Sequence, residues 1–389
     1  MGIVLGINAS RNRSGGAKAH LCGILTECDP LLQGIDRIHV WSYKSLLDAL
    51  PDRPWLIKHN PPELEESLLK QMLWENRHLP KEVRNNKCDV LLNTDAGTVC
   101  GYHPSVVMSR DMLSYEKGEM KRFGLSFARL RLIALKYVQA FSMKRADGVI
   151  FLTKYAAEVI QKTTGKIKQL KIIPHGVGAA FKQTTTGGNW TKTAGEEIRC
   201  VYVSNASMYK HQWHVVKAIR KLRDKGYNVS ILLVGGGKGL AQKLLEHTIQ
   251  EVDPQRKFVE QTAFMKHHEL PGILATADIF VFASSCENMP NTLVEAMAGG
   301  LPVACSNRGP MPEVLKDGGV YFDPENPIQI ADAIERIISD KELRMSIANK
   351  AKVLSEQYSW KRCANETLEY VTEMAFLTAR NKNNKKQFS

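Results

Sequence analysis

The sequence predicts an α/β protein made of two doubly wound domains, each a parallel sheet with helices on both faces. Three observations predict it. Apolar runs of strand length alternate with longer helical patterns along most of the chain, and such alternation places helices on both sides of a parallel sheet. The alternation lapses at the polar, Thr/Gly-rich stretch "KQTTTGGNWTKTAGEE" (182–197) and then restarts, which marks a linker or exposed loop. The length of 389 residues suits roughly two to three domains. Its 43% hydrophobic and 24% charged content suits a sizeable core.

In order, "GIVLGIN" reads as a strand and "SGGAKAHLCGILTE" as a glycine turn opening a helix. "RIHVWS" and "PWLIKH" are short strands, and "PELEESLLKQMLWENRH" is one helix with Pro near its start. "CDVLLN" and "SVVMS" are strands, a long helix covers about 125–145, and "GVIFLT", "KYAAEVIQKTT" and "LKIIP" close the first domain at 181. The second domain, 198–357, repeats the scheme from "IRCVYVS" through "VSILLVGGG", "KFVEQT", "DIFVFAS" and "NTLVEAMAGG" to "PVACS". A helix follows at about 358–378, and the polar, basic tail 379–389 is expected to fray.

Composition bounds the function. A net charge of +13 points to a polyanionic neighbour, nucleic acid or an anionic membrane face, or to diffuse solubility charge. The start "MGIVLGINAS" lacks a basic n-region and a cleavage site, so no secretion is expected. No apolar run reaches about 18 residues, and a cytoplasmic protein is expected. The eight cysteines show no CxxC pair and read as reduced thiols, with Cys286 a small buried residue.

Ligands of open α/β sheets bind at the carboxyl ends of strands, and three stretches fall there. Gly15 and Gly16, after the first strand, let backbone amides approach an anion at a helix start, or simply make a tight turn. Arg11 and Arg13 flank them. Lys210, past the first strand of the second domain, is either a point charge for a phosphate or a solvated lysine. "CENMPNTLVEAMAGGLPVACS" sets Glu287 after a buried strand and Glu295 about a turn into the next helix, with Asn291 as N-cap. A carboxylate accepts two hydrogen bonds and so matches a vicinal diol; the plainer readings are an exposed loop acid and an acid complementing the helix dipole. The amides of Asn291, Thr292 and Leu293 can meet a phosphate or base.

The stretch "ELPGILATADIFVFASSCENMPNTLVEAMAGGLPVACSNRGPMPEVLKDGGVYFDPEN" (269–326) resembles the family-4 retaining glycosyltransferases of GT-B architecture. The Glu-x7-Glu element, the "EAMAGGLPV" turn and the "PEV…DGG…F" continuation stand in family order. "LKIIPHGV", "SGGAKAHL" and "YSWKRCANETLEYV" extend the likeness, the last resembling a helix that crosses back to the first domain.

The resemblance implies two Rossmann-like domains facing across a cleft, with the acceptor on the first and the donor on the second. It implies that Glu287 holds donor-sugar hydroxyls and Glu295 the ribose hydroxyls. Lys210 and the Gly15–Gly16 amides would stabilise the departing diphosphate, and Asn205, Gly235 and the Asn291–Leu293 amides would line the nucleotide. Asn205 stands where the family usually has an Arg, so Arg13, Arg308 or another basic group would have to replace it. Arg110–Asp111 follow "SVVMS" where many members have a His facing the sugar, which makes both catalytic candidates, with His103 as an alternative.

The implied reaction moves a sugar, mannose or another hexose, from a nucleotide diphosphate sugar to an acceptor hydroxyl with retention. No cofactor or metal is expected, and no DxD occurs. The helix "KRFGLSFARLRLIALKYVQAFSMKR" mixes Arg122, Arg129, Arg131 and Lys136 with apolar residues; it either packs on the sheet or meets an anionic membrane face. The latter fits peripheral attachment to the inner face of the cytoplasmic membrane and a lipid-linked or polysaccharide acceptor in lipopolysaccharide, O-antigen or capsule synthesis. The rival readings are an epimerase or hydrolase of similar shape and a basic nucleic-acid binder. The second lacks any RRM, KH, zinc-finger or helix-turn-helix signature, so nucleic acid is not an expected partner.

Overall fold

A computed structural model describes residues 2–13, 15–182, 188–190, 192 and 195–387. The chain divides into two compact units, Met1–Gly176 with Ser359–Ser389, and Val177–Tyr358. The first holds seven parallel strands: β1 (Ile3–Asn8), β2 (Ile35–Trp41), β3 (Leu56–His59), β4 (Val90–Asn93), β5 (Ser105–Met108), β6 (Gly148–Phe151) and β7 (Leu170–Ile172), in the order β3-β2-β1-β4-β5-β6-β7. The second holds six: β8 (Ile198–Val203), β9 (Val229–Val234), β10 (Val259–Thr262), β11 (Ile279–Phe282), β12 (Val303–Ser306) and β13 (Val320–Phe322), in the order β10-β9-β8-β11-β12-β13. β4, β5, β6, β11 and β12 are buried along their full length. This is why they read as unbroken apolar runs rather than as alternating ones.

Each sheet reverses its strand order once, between β1 and β4 and between β8 and β11. At such a point the loops leaving two adjacent strands run to opposite faces, and a crevice opens at their carboxyl ends. The fold therefore brings the loop after β8 beside the loop after β11, although Lys210 and Glu287 lie far apart in sequence.

Four sequence expectations are corrected. The helix expected over 62–78 is a 3-10 turn, Pro62–Glu65, then a helix Leu68–Arg77. Glu66 is extended between them, and its carbonyl accepts from the Gln71 side chain at 2.6 Å. Residues 177–181 belong to the second unit, not the first, because Phe181 is buried there, its ring 5.3 Å from that of His267. Part of the expected linker, 183–187, 191 and 193–194, lies outside the described residues. The part described is anchored: the buried Arg344 donates to the carbonyls of Gly188 (3.0 Å) and Trp190 (3.2 Å) and lies over the Trp190 ring. Finally, the helix starting at Trp360 runs to Gln387; the expected tail contains no Gly or Pro to stop it, and residues 388–389 lie outside the described residues. This helix packs on the Gly15–Glu27 helix and on β4 and β5. Gly176 permits the approach, since a Cβ there would sit 2.2 Å from the Trp360 nitrogen.

Candidate functional site

In the second unit, the loop after β8 ends in a 3-10 turn, Met208–Lys210, followed by a helix Gln212–Asp224. His211 joins them in the left-handed region, φ 50°, and its Nε2 meets the Ser285 hydroxyl at 2.9 Å. Ser285 in turn donates its amide to the Tyr209 carbonyl at 2.8 Å, which stitches the two loops together. Above this seam the Lys210 ammonium is hydrogen-bonded to Glu287 Oε1. The side chains are only 13% and 15% exposed. Burial alone would push the Lys210 amine down; the Glu287 carboxylate, with the Tyr209 and Tyr202 hydroxyls, outweighs it and raises the amine above its ordinary value. Lys210 is thus a fixed, largely desolvated cation, and an ammonium has three donors, of which Glu287 takes one.

Gly235 directly follows β9 with φ +114°, and a Cβ there would lie 2.6 Å from the Ser204 carbonyl oxygen. Only glycine fits so close to the Ser204–Asn205 backbone, where Asn205 is exposed at the carboxyl end of β8.

The helix Asn291–Ala298 places Glu295 on its buried face. Its Oε1 meets His267 Nε2 at 2.7 Å. Burial raises the Glu295 carboxyl, with His267 pulling the other way, while the Glu295 hydrogen bond raises His267. Two expectations fail here. Pro290, not Asn291, occupies the N-cap, and no side chain caps the helix. The Asn291 and Leu293 amides are already donated to the Met289 (3.0 Å) and Pro290 (3.1 Å) carbonyls, because the Pro290 turn folds back on them. The Thr292 hydroxyl donates to the Val203 carbonyl at 3.2 Å, tying this helix to the end of β8. Arg308 does not supply the missing cation: it pairs with both Asp323 and Glu325.

In the first unit the carboxyl ends of β1 and β4 carry a buried polar network. Asn8 donates to Glu75 (2.7 Å) and Asn93 (2.9 Å), Thr98 donates to Glu75 (2.6 Å), and Arg11 closes on Glu75 at 2.8 Å. Asn12 Oδ1 accepts from Thr94 (2.8 Å) and from Arg110 (2.9 Å), and Arg110 lies 3.7 Å from Asp95. Gly15 and Gly16 are exposed at the start of their helix. Arg13 lies over the Tyr43 ring and donates to the Leu64 carbonyl.

Asp111 turns away from this group. It accepts from the Leu113 amide at 3.0 Å and the Gln139 side chain at 3.4 Å, so it ties the turn after β5 to a helix. His103 pairs with Asp147 at 2.8 Å at the amino end of β5, the wrong end of the strand for the carboxyl-end group. Cys286 is buried. Among the described residues no group of three or more His, Cys, Asp or Glu side chains is placed to hold a metal ion.

On the helix Phe127–Arg145, Phe127, Leu130, Arg131, Tyr137, Phe141, Lys144 and Arg145 share an exposed face at helical spacing. Of the basic residues singled out in sequence, Arg131 lies on this face. Arg122 pairs with Glu119 at 2.9 Å, Arg129 donates to the Gly124 carbonyl at 3.4 Å, and Lys136 lies 5.7 Å from the Tyr115 ring. Sequence reading missed His267, His211 and Glu75. A histidine or glutamate on an ordinary helical pattern carries no local sign of its distant partner.

Two doubly wound parallel units, with a desolvated Lys–Glu pair at the switch point of the second, define a two-domain α/β protein of GT-B architecture. Residues 191–354 match the family model described as glycosyl transferases group 1. An uncharacterized glycosyltransferase of Methanocaldococcus jannaschii is 29% identical over 176 residues, 44% of this chain and 44% of that protein. The O-antigen chain mannosyltransferase B of Escherichia coli is 27% identical over 137 residues, 35% of this chain and 36% of that protein. The chain thus spans less than half the length of these relatives. The crystal structure of Anabaena Alr3699/HepE in complex with UDP and glucose superposes with a TM-score of 0.70 at 19% identity, covering 95% of this chain and 99% of that one; this likeness concerns the fold.

Proposed function

We propose that the chain is a retaining, metal-independent glycosyltransferase that moves a hexose from a nucleotide diphosphate sugar to a hydroxyl of a lipid-linked or polysaccharide acceptor. The observation that carries it is the Lys210–Glu287 pair at the switch point of the second sheet. As the bond from sugar to phosphate breaks, negative charge grows on the leaving diphosphate. The two ammonium donors of Lys210 not used by Glu287 meet that charge, and a preorganised donor of this kind is worth about 3–4 kcal/mol. Glu287 accepts from hydroxyls of the donor sugar. Glu295 keeps one oxygen on His267 and offers the other to the ribose diol. The acceptor oxygen attacks from the face the diphosphate leaves, and its proton passes to a phosphate oxygen.

A similar fold binds UDP and glucose in the Anabaena protein, which supports a sugar-nucleotide donor, and a relative of this chain is an O-antigen chain mannosyltransferase, which supports a cell-surface glycan product. The first unit takes the acceptor. No helix among the described residues is long and apolar enough to cross a membrane, and the apolar and basic exposed face around Phe127, Leu130 and Arg131 fits the interfacial docking of an amphipathic helix on anionic lipid.

A panel of nucleotide sugars screened by thermal shift tests the donor reading, since a ligand that binds only the folded state raises its melting temperature. One donor is expected to stand out, and Glu287→Ala and Glu295→Ala are expected to lose turnover with it; normal turnover in both would overturn the assignment. Release of the nucleotide without a glycosylated acceptor would point to a hydrolase instead. Flotation with anionic liposomes is expected to weaken on charge reversal at Arg131; flotation indifferent to that change counts against membrane docking.

A further inference from the structure

The first unit holds a recess that borders the carboxyl-end network at Asn93 and Thr98 and runs from there to the amino end of β5. It has a volume of 440 Å³ and lies beneath the second half of the Phe127–Arg145 helix, reaching from Asn93 and Thr98 to His103 and Ser105 at the start of β5. This is within the ~300–1,000 Å³ of small-molecule sites. Val99, Val107, Tyr137, Val138 and Phe141 give it apolar walls, Asn76, Ser105 and Ser142 add neutral polar groups, and no Asp or Glu lines it.

Its charge comes from Arg145, which is exposed at the helix end. Arg145 lies 5.2 Å from the Phe141 ring and forms no ion pair among the described residues. His103, also in the lining, is held by Asp147. The recess therefore combines an apolar slot with an uncompensated guanidinium, a group suited to phosphate. Tyr137 and Phe141 are 67% and 60% exposed at its rim and continue the exposed face formed by Phe127, Leu130 and Arg131.

We infer that this recess binds one isoprenoid chain by its phosphate-bearing end, with Arg145 on the phosphate and the first isoprene units between Val99, Val138 and Phe141. The inference rests on the lipid-linked acceptor proposed above and specifies where its lipid end is held. A free phosphate would leave the apolar walls uncovered. An amphiphile with one anionic end uses both features.

Isothermal titration of the full chain with three soluble probes tests this: farnesyl monophosphate below its micelle concentration, farnesol and inorganic phosphate. Farnesyl monophosphate is expected to bind at least about tenfold more tightly than farnesol, with no measurable binding of phosphate alone. Val138→Trp, which fills the recess, is expected to abolish binding, and Arg145→Gln to bring farnesyl monophosphate down to the affinity of farnesol. Unchanged affinity in Arg145→Gln, whose side chain is exposed and whose loss leaves the fold intact, overturns the inference; so does tight binding of inorganic phosphate alone, which would mark a plain anion site.

Thermal shift with the preferred nucleotide sugar separates this from the functional reading. If the variants keep their donor shift but lose farnesyl monophosphate, the recess is confirmed. If the wild type binds farnesyl monophosphate but no nucleotide sugar, the recess stands and the transferase reading falls. If transfer to a prenyl-linked acceptor is as efficient in both variants as in the wild type, the transferase stands and the recess assignment falls.

Discussion

Replacing Lys210 by Met tests stability and chemistry at once. The substitution keeps most of the side-chain volume but leaves the Glu287 carboxylate only 15% exposed and without its ammonium. Removing one partner of a buried ion pair costs about 3–5 kcal/mol. The residual exposure of both side chains puts this pair at the low end, about 3 kcal/mol. For a domain of ~150–250 residues this lowers Tm by about 6–12 °C. Glu287→Leu should cost a similar amount, because Lys210 would then keep its burial and lose the carboxylate that raises its pKa. The double variant Lys210→Met/Glu287→Leu leaves no stranded charge, and apolar replacement of a buried pair is often close to neutral. Its stability should lie within about 1 kcal/mol of the wild type. Turnover should behave differently. On the proposed mechanism Lys210→Met and the double variant lack the cation that meets leaving-group charge and Glu287→Leu lacks a donor-sugar contact, so each should lose about 10²–10³ in kcat, and restored stability in the double variant should not restore it. Urea unfolding gives the stabilities, and release of the nucleoside diphosphate in the presence of acceptor gives the rates. Additive destabilisation in the double variant would show that the two charges are not coupled. Normal kcat in Lys210→Met would refute the role of the ammonium in meeting leaving-group charge.

Further outcomes are expected elsewhere in the molecule. Gly235→Ala forces a Cβ to within 2.6 Å of the Ser204 carbonyl at a positive φ. It should lower stability by about 1–3 kcal/mol and weaken donor binding in titration calorimetry; a wild-type melting curve would argue against the close approach. His267 is raised by its hydrogen bond to Glu295, and burial raises Glu295 in the same direction. The His267 contribution is therefore complete below the ordinary histidine value of about 6.5 and is lost as pH rises through its raised folded value, whereas that of Glu295 is complete only below the ordinary carboxyl value of about 4.3 and declines as pH rises through its own raised value. Melting temperature measured from pH 6 to 9 should fall across that window in the wild type more than in His267→Gln, and parallel curves would sink the coupling. Glu75→Gln removes the charge that Arg11 closes on at 2.8 Å in the buried network of the first unit. It should cost about 3 kcal/mol in urea unfolding, whereas a loss under 1 kcal/mol would mean that Arg11 is stabilised by solvent instead.

Much of this molecule is decided locally, and those parts are legible in its sequence. Strands such as β5, β6, β11 and β12 are covered on both faces, so their sequences are unbroken apolar runs that admit little else. Loops that must leave a strand and enter a helix near a ligand carry glycine and polar residues, which is why Gly15, Lys210 and Glu287 are legible as candidates in the sequence. What the chain could not reveal by itself depends on strand order. Only the switch between β8 and β11 sets Lys210 against Glu287. Only the packing of its helix turns Glu295 toward His267, and only the turn at Pro290 occupies the amides expected to face a nucleotide. The same holds for Arg308, drawn to two carboxylates, and for Asp111, turned toward Gln139. A residue's type states which bonds it can make. Its partner is chosen by whichever groups folding leaves within about 3 Å, and that distance is a property of the whole chain.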